Sequence, residues 1–158
     1  MKRPTLQTLL AMSFAGCRAL DPNYAAVSQP GSVSTIVSDS VQVRQLLADE
    51  ARRDEQFSTS FLALSTEKRS ELMGDMMYHP DPFMTERRRF LSDMARQPGH
   101  AVPGQQYFRI LEQSKARCAN DPISTVYYNR VRVTTGPFKG TGGWVCDDQV
   151  KETGEWVF

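Results

Sequence analysis

The residue types that do most chemistry are sparse in this chain and poorly spaced for it. His79 and His100 are the only histidines. Each sits beside a loop proline or glycine, and neither stands at metal-ligand spacing from a cysteine. Gly140-Thr141-Gly142-Gly143 has glycine enough for a phosphate loop, but it lies in a β-turn setting and opens no helix. Asp147-Asp148 offers two carboxylates to a hard cation, although adjacent acids after a strand are more often a turn. No nucleophile, base and acid stand in a recognisable pattern. These features nominate no catalytic residue, no metal site and no cofactor. The thiols are more informative. Cys17, Cys118 and Cys146 make three, and an odd count in an exported protein leaves one thiol in need of a role. The cytosolic alternative is three buried, reduced cysteines.

The first of these thiols ends a segment with the order of a secretory signal. Lys2 and Arg3 form a short positive region. Leu6, Leu9, Leu10, Ala11, Met12, Phe14 and Ala15 then supply a modest apolar stretch ending in small residues. Phe14-Ala15-Gly16-Cys17 resembles the lipobox of bacterial lipoproteins, with Phe14 in the place of the usual leucine. The resemblance implies cleavage after residue 16, diacylglycerol on the Cys17 thiol and an acylated (palmitate-type) amine. Arg18 stands where an aspartate would mark inner-membrane retention in enteric bacteria, so the same resemblance implies the periplasmic face of the outer membrane. The competing reading is an amphipathic helix starting at Pro4. If Cys17 carries lipid, Cys118 and Cys146 remain as a disulfide pair, which the periplasm permits.

Charge and hydropathy agree with such an anchor but do not require it. Removing residues 1–16 takes Lys2 and Arg3 and no acid, so 19 basic against 18 acidic residues becomes 17 against 18. A near-neutral chain lacks the broad positive field of a nucleic-acid binder. After the leader no apolar run approaches the roughly 20 residues that span a bilayer.

The elements that must position these residues fall into three stretches, and together they predict an α+β fold. Residues 17–40, with Asp21-Pro22-Asn23, Gln29-Pro30-Gly31 and scattered serines, have the composition of a tether. The alternative is a loop with one short strand, since Val33, Ile36 and Val37 can pair. Residues 41–117 are expected to be helical. Asp39 or Ser40 caps a first helix on which Val43, Leu46, Leu47 and Ala51 share a face, and the mixed run of Glu50, Arg52, Arg53, Asp54 and Glu55 is expected to be solvated. A second helix from Ser65 or Thr66 places Leu72, Met73, Met76 and Met77 on one side, preferably as core. Asp81 caps and Pro82 opens a third, with Phe83, Phe90, Leu91 and Met94 buried. Arg87, Arg88 and Arg89 spread widely around that helix and are expected to be solvated or ion-paired. Tyr107, Ile110 and Leu111 predict a short fourth helix toward Lys115.

Residues 118–158 change character. Ile123 to Thr135 is rich in β-formers, with Val131 and Val133 alternating with Arg130, Arg132 and Thr134. A turn at Gly136-Pro137-Phe138-Lys139-Gly140 leads to a second strand through Gly143-Trp144-Val145-Cys146. Val131-Arg132-Val133-Thr134-Thr135-Gly136-Pro137-Phe138-Lys139-Gly140 followed by Gly143-Trp144-Val145 resembles the second half of a bacterial SH3-like domain. That resemblance implies a small barrel that binds peptidoglycan or peptides. A bare hairpin packed on helices and a KOW element are the alternatives. Tyr127, Tyr128, Phe138 and Trp144 are the aromatic contact candidates, Trp144 being also the foremost core candidate.

The function expected on these grounds is that of a non-enzymatic envelope lipoprotein, held on the membrane by lipid and binding cell-wall or protein partners. An accessory lipoprotein of a secretion or conjugation machine is the second expectation. A cytosolic KOW-like nucleic-acid binder, using Arg130, Arg132 and Lys139, is the third.

Overall fold

The computed structural model of the protein describes residues 24–27, 31–121 and 124–152. Three helices separate strands that belong to a single sheet, so the fold is α+β as expected. The strands are β1 (Tyr24–Val27), β2 (Val33–Val37), β3 (Gly99–Pro103), β4 (Tyr107–Arg117), β5 (Tyr127–Val133), β6 (Gly142–Cys146) and β7 (Val150–Glu152). They form a seven-stranded sheet in the order β3-β2-β6-β5-β4-β1-β7, antiparallel throughout. The helices are α1 (Val41–Leu62), α2 (Thr66–Tyr78) and α3 (Pro82–Ala95).

Each helix starts where its sequence says it should. Ser40, Ser65 and Asp81 occupy the cap positions, and their side chains accept from the backbone N–H groups of Val43, Lys68 and Met84. These bonds satisfy donors that the first turn leaves without an intrahelical partner. Pro82 follows its cap as the first residue of α3, where its missing N–H costs nothing. The methionines of α2 divide: Met76 is buried and Met77 is 74% exposed.

Period-two alternation sends side chains to the two faces of the sheet. One face packs on α1 and α3, joining Val37, Tyr128, Trp144 and Cys146 to Val43, Leu47, Phe90 and Met94. The other carries Ile36, Val102, Phe108, Val131, Val133, Val145 and Val150, with Ile110 and Phe138 packed against them. Among the described residues no helix covers this second face. The sheet curls over it instead, bringing β2 to the turn before β7: Ser34 Oγ donates to the Gln149 carbonyl at 3.0 Å, and Gln149 Oε1 accepts from Thr35 N–H at 3.0 Å.

Several expectations are corrected by this sheet. Residues 24–27 and 33–37, assigned above to a tether, are strands. Ser34 and Ile36 are fully buried, because an alternating strand can hide a serine whose hydroxyl has a partner. The polar composition of the segment concealed that alternation. The expected fourth helix is β4, the longest strand. Its register slips between Ile110 and Glu112 and again between Gln113 and Arg117. Leu111 is the extra residue of the first irregularity, which places Tyr107, Ile110 and Leu111 at a deceptively helical spacing. These bulges also reverse the facing: Phe108 and Ala116 are an even number of residues apart yet belong to opposite cores.

The hairpin expected near the C-terminus is present as β5 and β6, paired from Tyr128↔Cys146 to Arg132↔Gly142. Gly136 and Gly140 take positive φ in the intervening turn, as tight turns demand. This hairpin is nevertheless not a separate unit. Strands β5 and β6 lie in the middle of a sheet completed by β2 on one side and β4 on the other.

Candidate functional site

The most unusual chemistry in the molecule is a cluster of charges inside the α1–α3 interface. The buried stripe of α1 runs Val43, Leu47, Glu50, Asp54, a spacing that keeps one helix face inward. The stripe of α3 runs Met84, Arg87, Phe90, Met94. Both helices therefore bring charge to the interface at core positions. Arg87 Nε donates to Glu50 Oε1 at 3.1 Å and its Nη1 donates to the Asp121 carbonyl at 3.0 Å, while Nη2 pairs with Asp54. Arg53 Nη2 closes on Glu50 Oε2 at 2.6 Å, and Arg117 Nε lies 3.5 Å from Asp54 Oδ2. Phe83 stacks below, with the Arg87 guanidinium carbon 4.7 Å from its ring centroid. Burial presses the Arg87 pKa below its usual range, opposed by the hydrogen bond and charge of Glu50. This corrects the expectation of a solvated run for Glu50 and Asp54, which are 1% and 5% exposed; Arg87, 0% exposed, takes the ion-paired alternative expected for it. The phase of the apolar stripe, continued through Leu47 into Glu50 and Asp54, was the signal that could have found them.

A second polar group joins the start of α1 to the sheet. Asp39 accepts two 2.7 Å hydrogen bonds from the Arg44 guanidinium and one of 3.0 Å from Trp144 Nε1. Arg130 Nη1 stands 3.6 Å away, and Arg130 Nε pairs with Glu112 at 3.1 Å. The Asp39 carboxyl is held down to about 2, chiefly by the Arg44 hydrogen bond, with partial burial opposing and Trp144 assisting.

The aromatic contact candidates do not assemble into one exposed surface. Trp144 and Tyr128 are 4% and 8% exposed, so Trp144 takes the core place also expected for it, and the assignment of Tyr128 as an outward contact is corrected. Both face the helices, and Tyr128 meets Phe90 edge-on at 6.0 Å. Burial, with the charges of Asp148 and Glu50, pushes the Tyr128 hydroxyl up to about 12. Phe138 packs against the opposite core, and Tyr127 is half-buried. Large rings in a thin two-layer domain are taken by the core first, since burying them removes much apolar area from water.

Cys118 and Cys146 are paired at disulfide distance, with Cα atoms 5.7 Å apart at a sequence separation of 28. The bond ties the segment after β4 to the end of β6. Cys118 N–H also donates to the Val126 carbonyl at 3.0 Å. Cys17 lies outside the described residues. Among the described residues no three histidine, cysteine or acidic side chains cluster as metal ligands, and no helix is long and apolar enough to cross a membrane. His79 and His100 are both exposed. No family model, curated protein or solved structure matches the chain.

Proposed function

We propose that this chain is a lipid-anchored, non-enzymatic protein of the bacterial envelope, attached through Cys17 and working by binding cell-wall or protein partners. The observation that carries the reading is the Cys118–Cys146 pair. It accounts for two of the three cysteines and suits an oxidising compartment. The remaining thiol is the one in Phe14-Ala15-Gly16-Cys17. An acylated cysteine needs no transmembrane helix, because each buried methylene adds about 0.8 kcal/mol of membrane affinity and several chains act together. Outer-membrane sorting to the periplasmic face follows from Arg18 if the source organism uses the enteric rule.

The buried charges support a scaffold more than an active site. Arg87, Glu50 and Asp54 are shut away from any substrate and hold α1 against α3 and the 117–121 segment. Mass spectrometry of the protein from its native membrane fraction tests the anchor. The expected N-terminus is Cys17 bearing diacylglycerol and an amide-linked acyl chain. A soluble chain that retains Met1 and three free thiols rejects the reading.

A further inference from the structure

The helix-facing side of the sheet is not covered along its whole length, and the uncovered part carries an unusual pair. Arg109 of β4 lies directly opposite Arg132 of β5. Both are exposed, and neither forms an ion pair among the described residues. Like charges directly opposite on adjacent strands weaken a sheet, so this arrangement is unfavourable to the fold in isolation. The next row of the same face holds Tyr107, 48% exposed, opposite Ala26, which in turn stands opposite Lys151. Lys139, also exposed, lies in the adjoining turn between β5 and β6. The acid nearest this surface on β4, Glu112, is engaged by Arg130.

We infer that this surface binds the phosphates of anionic phospholipid headgroups, on the bilayer to which Cys17 is anchored. The choice of lipid rests on the anchor reading above. Tyr24, where β1 begins, is paired with Arg109, so Tyr24, Arg109 and Arg132 form one cross-strand row. Seven residue steps separate Cys17 from Tyr24, and covalent geometry limits that span to about 25 Å. Adjacent strands add only about 5 Å each. The row is therefore held within reach of the headgroups by the anchor itself. Arginines meet phosphate with paired N–H donors, and a half-exposed tyrosine suits the interfacial layer. Phosphates between Arg109 and Arg132 would remove the repulsion that the free sheet retains. Two or three cations suit headgroups better than nucleic acid, whose binders neutralise more phosphates.

The test uses the chain from residue 17 with Cys17→Ser, which keeps every described residue and removes any acyl contribution. It is mixed with phosphatidylglycerol-containing or pure phosphatidylcholine vesicles and sedimented. The expected result is a preference for the anionic vesicles that disappears at high salt. Arg109→Gln with Arg132→Gln should weaken binding about thirtyfold, roughly fivefold for each arginine near an anionic surface. Thermal unfolding of that variant should be no lower than the parent's, since a repulsive pair has been removed. Lys68→Gln with Arg88→Gln, carrying the same net charge, should bind like the parent. Equal binding of the Arg109/Arg132 variant and the parent overturns the inference. So does an equal loss in the charge-matched control, no preference for anionic vesicles, or capture only by an acidic polypeptide or wall polymer. Failure of the anchor appears separately, as unmodified Cys17 in cells, and leaves the vesicle result standing.

Discussion

Arg87, the largest fully buried side chain, donates from Nε to Glu50 Oε1 at 3.1 Å across the α1–α3 interface. A guanidinium without water holds its charge only while acids face it, and here Glu50 and Asp54 do so from successive turns of one helix. The pair therefore sets the relative placement of α1 and α3 more narrowly than apolar contact would. Arg87 extends the same control to the segment after β4 through the Asp121 carbonyl.

Removing one side of this network should be costly. Arg87→Met takes the shared partner from two buried carboxylates, leaving Glu50 only Arg53 and Asp54 only Arg117, and is expected to destabilise by about 3–5 kcal/mol. Adding Glu50→Gln and Asp54→Asn removes the uncompensated charge and should recover at least half of that loss. Urea denaturation midpoints of the single and triple variants check the prediction. A single variant as stable as the parent contradicts it.

Asp39 should make stability depend on acid. Its folded pKa, about 2, lies below the usual 3.8, so its contribution is complete above about pH 4 and is lost as pH falls toward 2. Carbon NMR titration of the carboxyl should show a midpoint near the lower value. Arg44→Gln should move that midpoint upward, because the Arg44 hydrogen bond is the largest cause of the depression. The destabilisation caused by Asp39→Asn should shrink over the same acid window.

The Cys118–Cys146 bond closes a loop over a sequence separation of 28. On chain entropy that closure is worth about 3–4 kcal/mol. Cys118→Ser with Cys146→Ser should lower the melting temperature by on the order of 10 °C. Calorimetry of the variant, beside the parent with and without reductant, measures the effect. A parent insensitive to reductant and a variant with unchanged melting would count against the bond.

Gly143 should tolerate no side chain. A Cβ there would overlap the Val37 carbonyl oxygen and crowd Ile36 Cγ2. Rigid backbone from β2 cannot withdraw without losing its pairing at Trp144. Gly143→Ala is expected to cost about 2–4 kcal/mol, within the range of overpacking and strain. Gly140→Ala offers a contrast, since its Cβ meets no atom and only its positive φ opposes the change; about 1 kcal/mol is expected. Parallel thermal melts separate the two.

Much of the fold was legible from local chemistry. Ser40, Ser65, Asp81 and Pro82 mark helix starts because capping is settled within four residues. The β5–β6 hairpin shows in the alternation of Arg130, Val131, Arg132 and Val133 and in the two turn glycines. The sulfur count, together with the lipobox resemblance, singled out Cys118 and Cys146. Strand β4 was not legible, because its bulges break the alternation by which a strand is recognised. Strand β2 was hidden by the serines around it and by Ser34 within it, whose burial depends on a partner 115 residues away, the Gln149 carbonyl.

The charged core was the deepest omission. Glu50, Asp54 and Arg87 look like surface residues because a charge is normally stable only in water. Each becomes tolerable inside only when the opposite charge arrives from another helix, and that meeting is a property of the packed molecule. The same reasoning applies to Tyr128 and Trp144. Sequence determined that these rings lie on the two strands of a hairpin, but which face they share and whether it meets water or α1 and α3 was decided by the register and the arrangement of layers. Local rules therefore determined where elements begin, turn and alternate. Tertiary structure decided which charges and aromatics are buried, because burial depends on partners distant in the chain.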